Sequence, residues 1–480
     1  MLKLKGIEPQ RVFYYFEQIS SVPRGSEDQW GISRYCRNFA VNHNLKYIKD
    51  DSNNVVIFKP ATAGYEDSQP VILQGHLDMV CQKTPDSTFD FTEQGIDLYM
   101  DGDFIKAKDT TLGADNGIAV AMILAILESD SISHPPIEAV FTTDEEIGMV
   151  GALALDMSVL KGSRMINLDA EEDYCVTVSC AGGSDLKITV PAEYVKMNGT
   201  QITVTVKGLK GGHSGVEINS GRENANILAG RLLCSLKESF DFNIISVNGG
   251  DKSNAIPNLC TVALCTKDAD VFISAAQRLA SELKEEFKNT EGSLTFDILV
   301  NGAGEFDVFT DDISQKLVHT LSKVPNGVME MSGDIEGLVE TSLNLGILVT
   351  EKDKIVLHFA LRSNKQAKLV ALENDIVEFF KEIQWTAETF GHYPPWEYKE
   401  DSVLRQVYLE VYGEVFGKEP SVEAIHAGLE CGVFAREIKD FDCIAIGPSL
   451  FDVHTVNEKL SISSTEKMYN LLLKILEKLR

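Results

Sequence analysis

IEAVFTTDEEIGMVGA, residues 137–152, decides the fold. Its first half is apolar and β-branched, the composition of a short buried strand. Its second half breaks into Asp144, Glu145 and Glu146. Adjacent carboxylates repel and resist ionising together. Three acids in a row at a strand end therefore ask for a positive partner. Working outward, NVVIFKP from Asn54, PVILQGH from Pro70 and RMINLDA from Arg164 also read as strands, and an apolar helix runs from Gly117 to Glu128. Alternating elements of this kind predict an α/β domain with a mixed, largely parallel sheet flanked by helices. Ligands of such sheets bind at the carboxyl ends of the strands, which is where the acids and histidines fall.

The chain has 480 residues, too many for one ordinary core, so two or more domains are expected. A net charge of -28 argues against nucleic acid or an anionic membrane as partner. No apolar run approaches the ~20 residues of a membrane span. The opening MLKLKGIEPQRVFYYF lacks a signal-peptide core and reads as a first amphipathic helix. The 9 Cys are scattered without CxxC pairs, so they read as reduced thiols of a cytoplasmic protein. Cys36, Cys234 and Cys260 stand in apolar contexts and read as core.

Between about 187 and 390 the rhythm changes to α+β and runs through twice. The first pass is QITVTVKGL, GGHSG, a helix, NIISVNGG, NAIP, CTVALCT and a second helix. The second is LTFDILV, NGAGEF, a helix, ETSLNLG, KIVLHFALRS and a helix. Residues 1–186 and 391–480 then form one domain, and 187–390 an insertion duplicated as about 187–290 and 291–390. Gly391 to Pro395 would be the return hinge.

The polar residues placed after strands are His76, Asp78, Asp115, Glu145, Glu146, Asp169 and His454. Imidazoles and carboxylates are what zinc takes as ligands, and only a shared sheet edge brings such distant positions together. Paired cations at that edge would keep both glutamates ionised. On an extended segment neighbouring side chains diverge. Of Glu145 and Glu146, one can then bind metal while the other serves as general base. Asp78, two residues after His76, can accept the imidazole's other N–H.

HLDMV, TLGADNG, TTDEEIG, NLDAEE, GGHSG, NAIPN and DVHT, in this order, resemble the co-catalytic zinc family of peptidase V, carboxypeptidase G and the aminoacylases. The likeness covers essentially the whole chain. It implies a di-zinc hydrolase of dipeptides, with Mn or Co as possible substitutes. Xaa-His and carnosine-like substrates follow from the likeness alone. Asp115 would bridge the metals, His76 and Asp169 would complete one, and Glu146 and His454 the other. Glu145 would be the general base and Asp78 would orient His76. The likeness also implies a cis peptide between Asp115 and Asn116.

The inserted domain would then be a lid. His213 in GGHSG resembles the family's carbonyl-polarising histidine, Asn254 in SNAIP its substrate-holding asparagine, and Arg362 in ALRSN its carboxylate clamp. Dimeric relatives take the histidine and asparagine from a partner chain. The duplication here would put everything on one polypeptide, so the site is expected to be competent in a monomer, with a homodimer still possible. Glu430 in HAGLECG is a candidate contact for the substrate's free amine, or else a loop residue, and His426 has no assigned role. His392 reads as part of the hinge. Two rivals stand beside this reading: an aminoacylase or tripeptidase on the same scaffold, and a non-catalytic metal-binding or interaction protein. The presence of Glu145 argues against the second.

Overall fold

The structure, a computed structural model, describes residues 3–480. The chain divides into two compact units. One comprises Met1–Cys180, Trp396–Ala424 and Leu429–Arg480, and the other Ala181–Pro395 and Ile425–Gly428. The changes of unit thus fall at 180/181 and 395/396, and a short return at 425–428 joins the second unit.

The first unit is built on a sheet whose spatial order is Lys46–Lys49, Val55–Lys59, Ile137–Thr142, Val71–His76, Arg164–Asn167, Asp442–Ala445, Cys175–Cys180 and Ser421–Ile425. Its centre is parallel: Val71–His76 runs alongside both Ile137–Thr142 and Arg164–Asn167, and Asp442–Ala445 joins them. Its margins are antiparallel. Every residue of the Val71–His76 and Ile137–Thr142 strands is buried, which explains their unbroken apolar character. The register pairs His76 with Thr142 and Gln74 with Asn167, so the strands end together.

The helix Ala114–Glu128 is buried from Ile118 to Leu127 and apolar all round, as a helix enclosed by its neighbours must be. It packs on the Val71–His76 strand and on the helix Gln10–Ser20. That first helix begins only after Pro9, later than the sequence suggested, and buries Val12, Phe13, Tyr15, Phe16 and Ile19. Residues 1 and 2 of the expected helix lie outside the described residues. A smaller sheet joins Leu450–Phe451, Lys459–Ser461, Phe104–Ala107 and Leu98–Asp101 in that order. Its hairpin, Leu450 opposite Leu460, carries His454 in its loop. Among the described residues no helix is long and apolar enough to cross a membrane.

The second unit has a nine-stranded antiparallel sheet and a separate two-stranded one, Gly212–His213 with Ala255–Ile256. Alternate residues such as Ile202, Val204 and Val206 face a core filled by helices Ala225–Lys237, Ala269–Glu286, Asp311–Lys323 and Gln366–Glu382. Asn248 opposite Val349 and Gly249 opposite Leu348 join the two passes of the sequence into one sheet. Thr295–Phe309 is a single strand that continues through NGAGEF, which the sequence reading had set apart, with a bulge at Asn301, and it pairs with Tyr194–Lys207 of the first pass. His392 lies in the strand Thr386–Tyr393 and bonds Glu373 at 2.8 Å.

Candidate active site

At the parallel edge of the first unit the expected ligands converge. His76 Nε2 lies 3.2 Å from Asp115 Oδ1 and 3.5 Å from Asp169 Oδ1. His454 Nε2 lies 3.0 Å from Asp115 Oδ2 and 3.0 Å from Glu146. The two oxygens of Asp115 thus face different histidines. Ligand atoms of His76, Asp115 and Asp169 fall within 4.8 Å of one another, as do those of Asp115, Glu146 and His454. His76, Glu145 and Glu146 form a third such group.

Sequence reasoning placed Glu145 and Glu146 on an extended segment. The structure has a turn there instead. Asp144 takes a left-handed φ of 53°, and Gly148 N and Met149 N both reach back to Glu145 O at 2.9 Å. The turn brings both carboxylates towards His76, where an extended chain would have separated them. Asp144 itself is an anchor, accepting from Glu27 N at 2.7 Å and from the Gln29 amide.

Asp78 holds this turn. Its carboxylate accepts Glu145 N at 3.1 Å, Glu146 N at 3.3 Å and Ser26 Oγ at 2.9 Å. The same carboxylate lies 3.4 Å from His76 Nδ1, whose shorter contact, 3.1 Å, is to the Asp78 carbonyl. Asp78 therefore orients the imidazole and the two glutamates together.

The peptide Asp115–Asn116 is cis, at the bent start of the buried helix. Asn116 accepts His76 N at 3.1 Å and donates to Leu168 O at 2.8 Å, tying the helix to both neighbouring ligands. Gly75 leaves room for it, since a side chain there would collide with the Asn116 amide.

The electrostatics show what the site lacks. Burial opposes charge on Asp115, yet hydrogen bonds from His454 and His76 hold its carboxyl well below the usual range. His454 is raised to about 11 by Asp115 and Glu146, and His76 also rises, its burial outweighed by Asp169 and Asp115. Burial pushes Asp169 up to about 6 and lifts Glu145 well above a normal glutamate, with Asp169, Glu430 and Glu146 adding repulsion. The acids outnumber the imidazoles, and the cluster is short of positive charge. Two sets of nitrogen and oxygen donors sharing one carboxylate fit a pair of divalent cations.

Glu430 is fully buried rather than open to a substrate. It accepts from Gln74 at 2.5 Å and Thr142 at 2.6 Å, and burial raises it to about 8. Gln74 in turn accepts from Asn167 at 2.6 Å, so a polar layer braces the strands two residues below His76 and Asp169. Neither Gln74 nor Asn167 stood out in the sequence, because each lies inside an apolar strand.

In the second unit, His213 pairs with Ala255, and Ser214 N donates to Asn254 O at 2.9 Å. His213 Nδ1 accepts Gly215 N at 3.1 Å and Val216 N at 3.2 Å, which leaves the proton on Nε2. Burial and the Arg362 guanidinium push His213 down to about 4, so the ring is a neutral donor at physiological pH. Arg362 is 8% exposed. Its Nη1 donates to Tyr393 Oη at 2.7 Å, while Nε has no protein partner. The Asn254 side chain is exposed. His426 bonds Ser342 at 2.7 Å and Asn364 at 3.0 Å, and burial with Arg362 and His213 lowers it to about 3. Tyr393 and His426 gave no sequence signal of these contacts, which depend on strands far apart in the chain.

A profile of peptidase family M20/M25/M40 matches residues 72–478. The chain is 35% identical to the cytosol non-specific dipeptidase of Escherichia coli, over 100% of this chain and 99% of that one. Among solved structures, aminoacylhistidine dipeptidase from Vibrio alginolyticus matches with a TM-score of 0.89 at 35% identity, covering 98% of this chain and 97% of that one. A tripeptidase from Staphylococcus aureus shares the fold at a TM-score of 0.56 and 15% identity, over 98% and 99% of the two chains.

Proposed function

The chain belongs to peptidase family M20/M25/M40, and on that premise we propose that it hydrolyses dipeptides, Xaa-His substrates among them, with two zinc ions. The observation that carries this reading is the Asp115 carboxylate, with one oxygen towards His76 and the other towards His454. His76, Asp115 and Asp169 would hold one ion, and Asp115, Glu146 and His454 the other. When bound, the ions supply Lewis-acid charge that polarises the scissile carbonyl and makes water easier to deprotonate.

The chain's own groups do the rest. Glu145 takes the proton of the attacking water and passes it to the leaving amine. Its raised proton affinity suits the second half of that task, and ions held by the neighbouring ligands would lower it for the first. Asp78 keeps the Glu145–Glu146 turn and His76 in place. Neutral His213 offers its Nε2–H to the carbonyl oxygen, where charge develops. Arg362, anchored by Tyr393 through one nitrogen, has other donors left for the substrate's carboxylate, and Asn254 helps hold the substrate. Glu430 braces the strands from below.

The duplication read in the sequence puts His213, Asn254 and Arg362 on one polypeptide, so the reading needs no second copy. Loss of all activity in an enforced monomer would refute that part. A cytoplasmic setting fits the free cysteines and the cytosolic relative. The test of function is a panel of Xaa-His and other dipeptides, tripeptides and N-acetyl amino acids, each with and without chelator. Chelator-sensitive cleavage of dipeptides is expected. Turnover confined to tripeptides or N-acetyl amino acids would overturn the substrate assignment.

A further inference from the structure

The loop that presents Asp115 is held from behind by a single carboxylate. Glu458 is buried, and its oxygens accept consecutive backbone amides. Oε2 takes Leu112 N at 2.8 Å and Gly113 N at 2.9 Å, while Oε1 takes Ala114 N at 2.8 Å and Asp115 N at 3.3 Å. Two of these amides, Ala114 N and Asp115 N, open a helix and have no intrahelical acceptors, and the other two lie in the segment that leads into it. Buried without a partner, each would carry a desolvation penalty.

Arg24, also buried, bonds the carbonyls of the same region. It donates to the Gly113 carbonyl, to Leu77 O at 3.1 Å and to Asp78 O at 3.2 Å. Gly113 has a φ of +68°, and a side chain on it would strike the Arg24 guanidinium. The loop is thus fixed by an anion on its N–H groups and a cation on its carbonyl.

Glu458 stands on the hairpin that carries His454. The hairpin loop is closed by Thr455 Oγ1 to Asp452 O at 2.7 Å, Asn457 N to Thr455 Oγ1 at 3.1 Å and Glu458 N to Thr455 O at 3.2 Å. One rigid turn therefore meets Asp115 twice, with His454 at its carboxylate and Glu458 at its amide.

We propose that Glu458 is a positioning residue of the metal centre. Through the amides of residues 112–115 it sets where the Asp115 carboxylate lies between its two histidines, and it couples that placement to the hairpin bearing His454. The inference rests on the di-metal reading above. It adds that metal affinity depends on a carboxylate that touches neither ion nor substrate.

Glu458→Gln is nearly isosteric, but it turns an –NH₂ towards two N–H groups that had an acceptor. Glu138→Gln is the control. Glu138 is another buried carboxylate on backbone amides, Lys161 N at 2.9 Å and Gly162 N at 3.0 Å, at the opposite end of the Ile137–Thr142 strand. The chelated full-length chain is titrated with Co²⁺, following visible absorption, and its thermal midpoint is measured. Both variants should melt lower than wild type. Only Glu458→Gln should weaken cobalt binding, by roughly 10- to 100-fold, and change the band shape.

Wild-type affinity and spectrum in Glu458→Gln would overturn the positioning role and leave the di-metal reading standing. A wild-type chain that takes up no pair of cobalt ions would overturn both. If Glu458→Gln does not fold, hydrogen exchange of wild type decides. Amides 112–115 should be protected in the chelated chain, and rapid exchange there would overturn the inference.

Discussion

Replacing Arg362 with Met removes the cation assigned to the substrate's carboxylate while keeping an apolar stem on the strand. Arg362 is 8% exposed, so water screens the lost interaction weakly. Truncating one partner of a buried, hydrogen-bonded charge pair costs about 2–5 kcal/mol. At about 1.4 kcal/mol per decade, that is roughly 30- to 4,000-fold in kcat/KM. The assay compares a dipeptide with its C-terminal amide. Wild type should prefer the free acid by a factor in that range, and Arg362→Met should cleave the two at similar rates. An independent readout follows from the same charge. Arg362 helps push His213 down to about 4 and His426 down to about 3, so both imidazoles should titrate at higher pH in the variant. Unchanged kcat/KM, or a preserved preference for the free acid, would refute the clamp.

Glu145→Gln should lower kcat by roughly 100- to 10,000-fold, the range for a lost general base, with metal content intact; unchanged turnover would remove Glu145 from the mechanism. Asp78→Asn should weaken metal binding by roughly 10- to 100-fold, because it loosens His76 and the Glu145–Glu146 turn together. Equilibrium dialysis measures this, and wild-type affinity would count against the shared role. The neutral, buried His426 makes the fold acid-sensitive. Below about pH 6.5 the unfolded chain binds a proton that the folded chain refuses until about pH 3. Stability should therefore fall with pH across that window, by up to about 1.4 kcal/mol per pH unit from this residue. His426→Gln should flatten the slope in denaturant titrations at pH 6, 5 and 4, and an equal slope would rule His426 out as its source.

The cluster of His76, Asp115, Glu146 and Asp169 was legible because each lies at or soon after a strand end or at a helix start, and parallel strands in register end at one edge; His454 is brought in by a separate hairpin. The Glu145–Glu146 geometry was not legible. It depends on a left-handed Asp144 and on amides held by Asp78, neither of which a run of three acids announces. Glu458, Arg24 and Gln74 were missed for a common reason. Their partners are backbone groups or side chains far away in sequence, and no local pattern marks a residue for such a role. The run of strand 295–309 through NGAGEF went unread because its glycines imitate a turn. His213 and Arg362 came from family likeness, and their electrostatic coupling became visible only in the folded second unit, where the two passes pack together.

Metal stoichiometry tests the central claim most directly. Elemental analysis of the purified full-length chain, reconstituted with excess zinc and desalted, should give about two ions per chain in wild type and about one in His454→Ala, with Asp115→Ala losing most of both. A wild-type chain that retains one ion or none, or a His454→Ala chain that still holds two, would contradict an arrangement in which Asp115 joins two separate ligand sets.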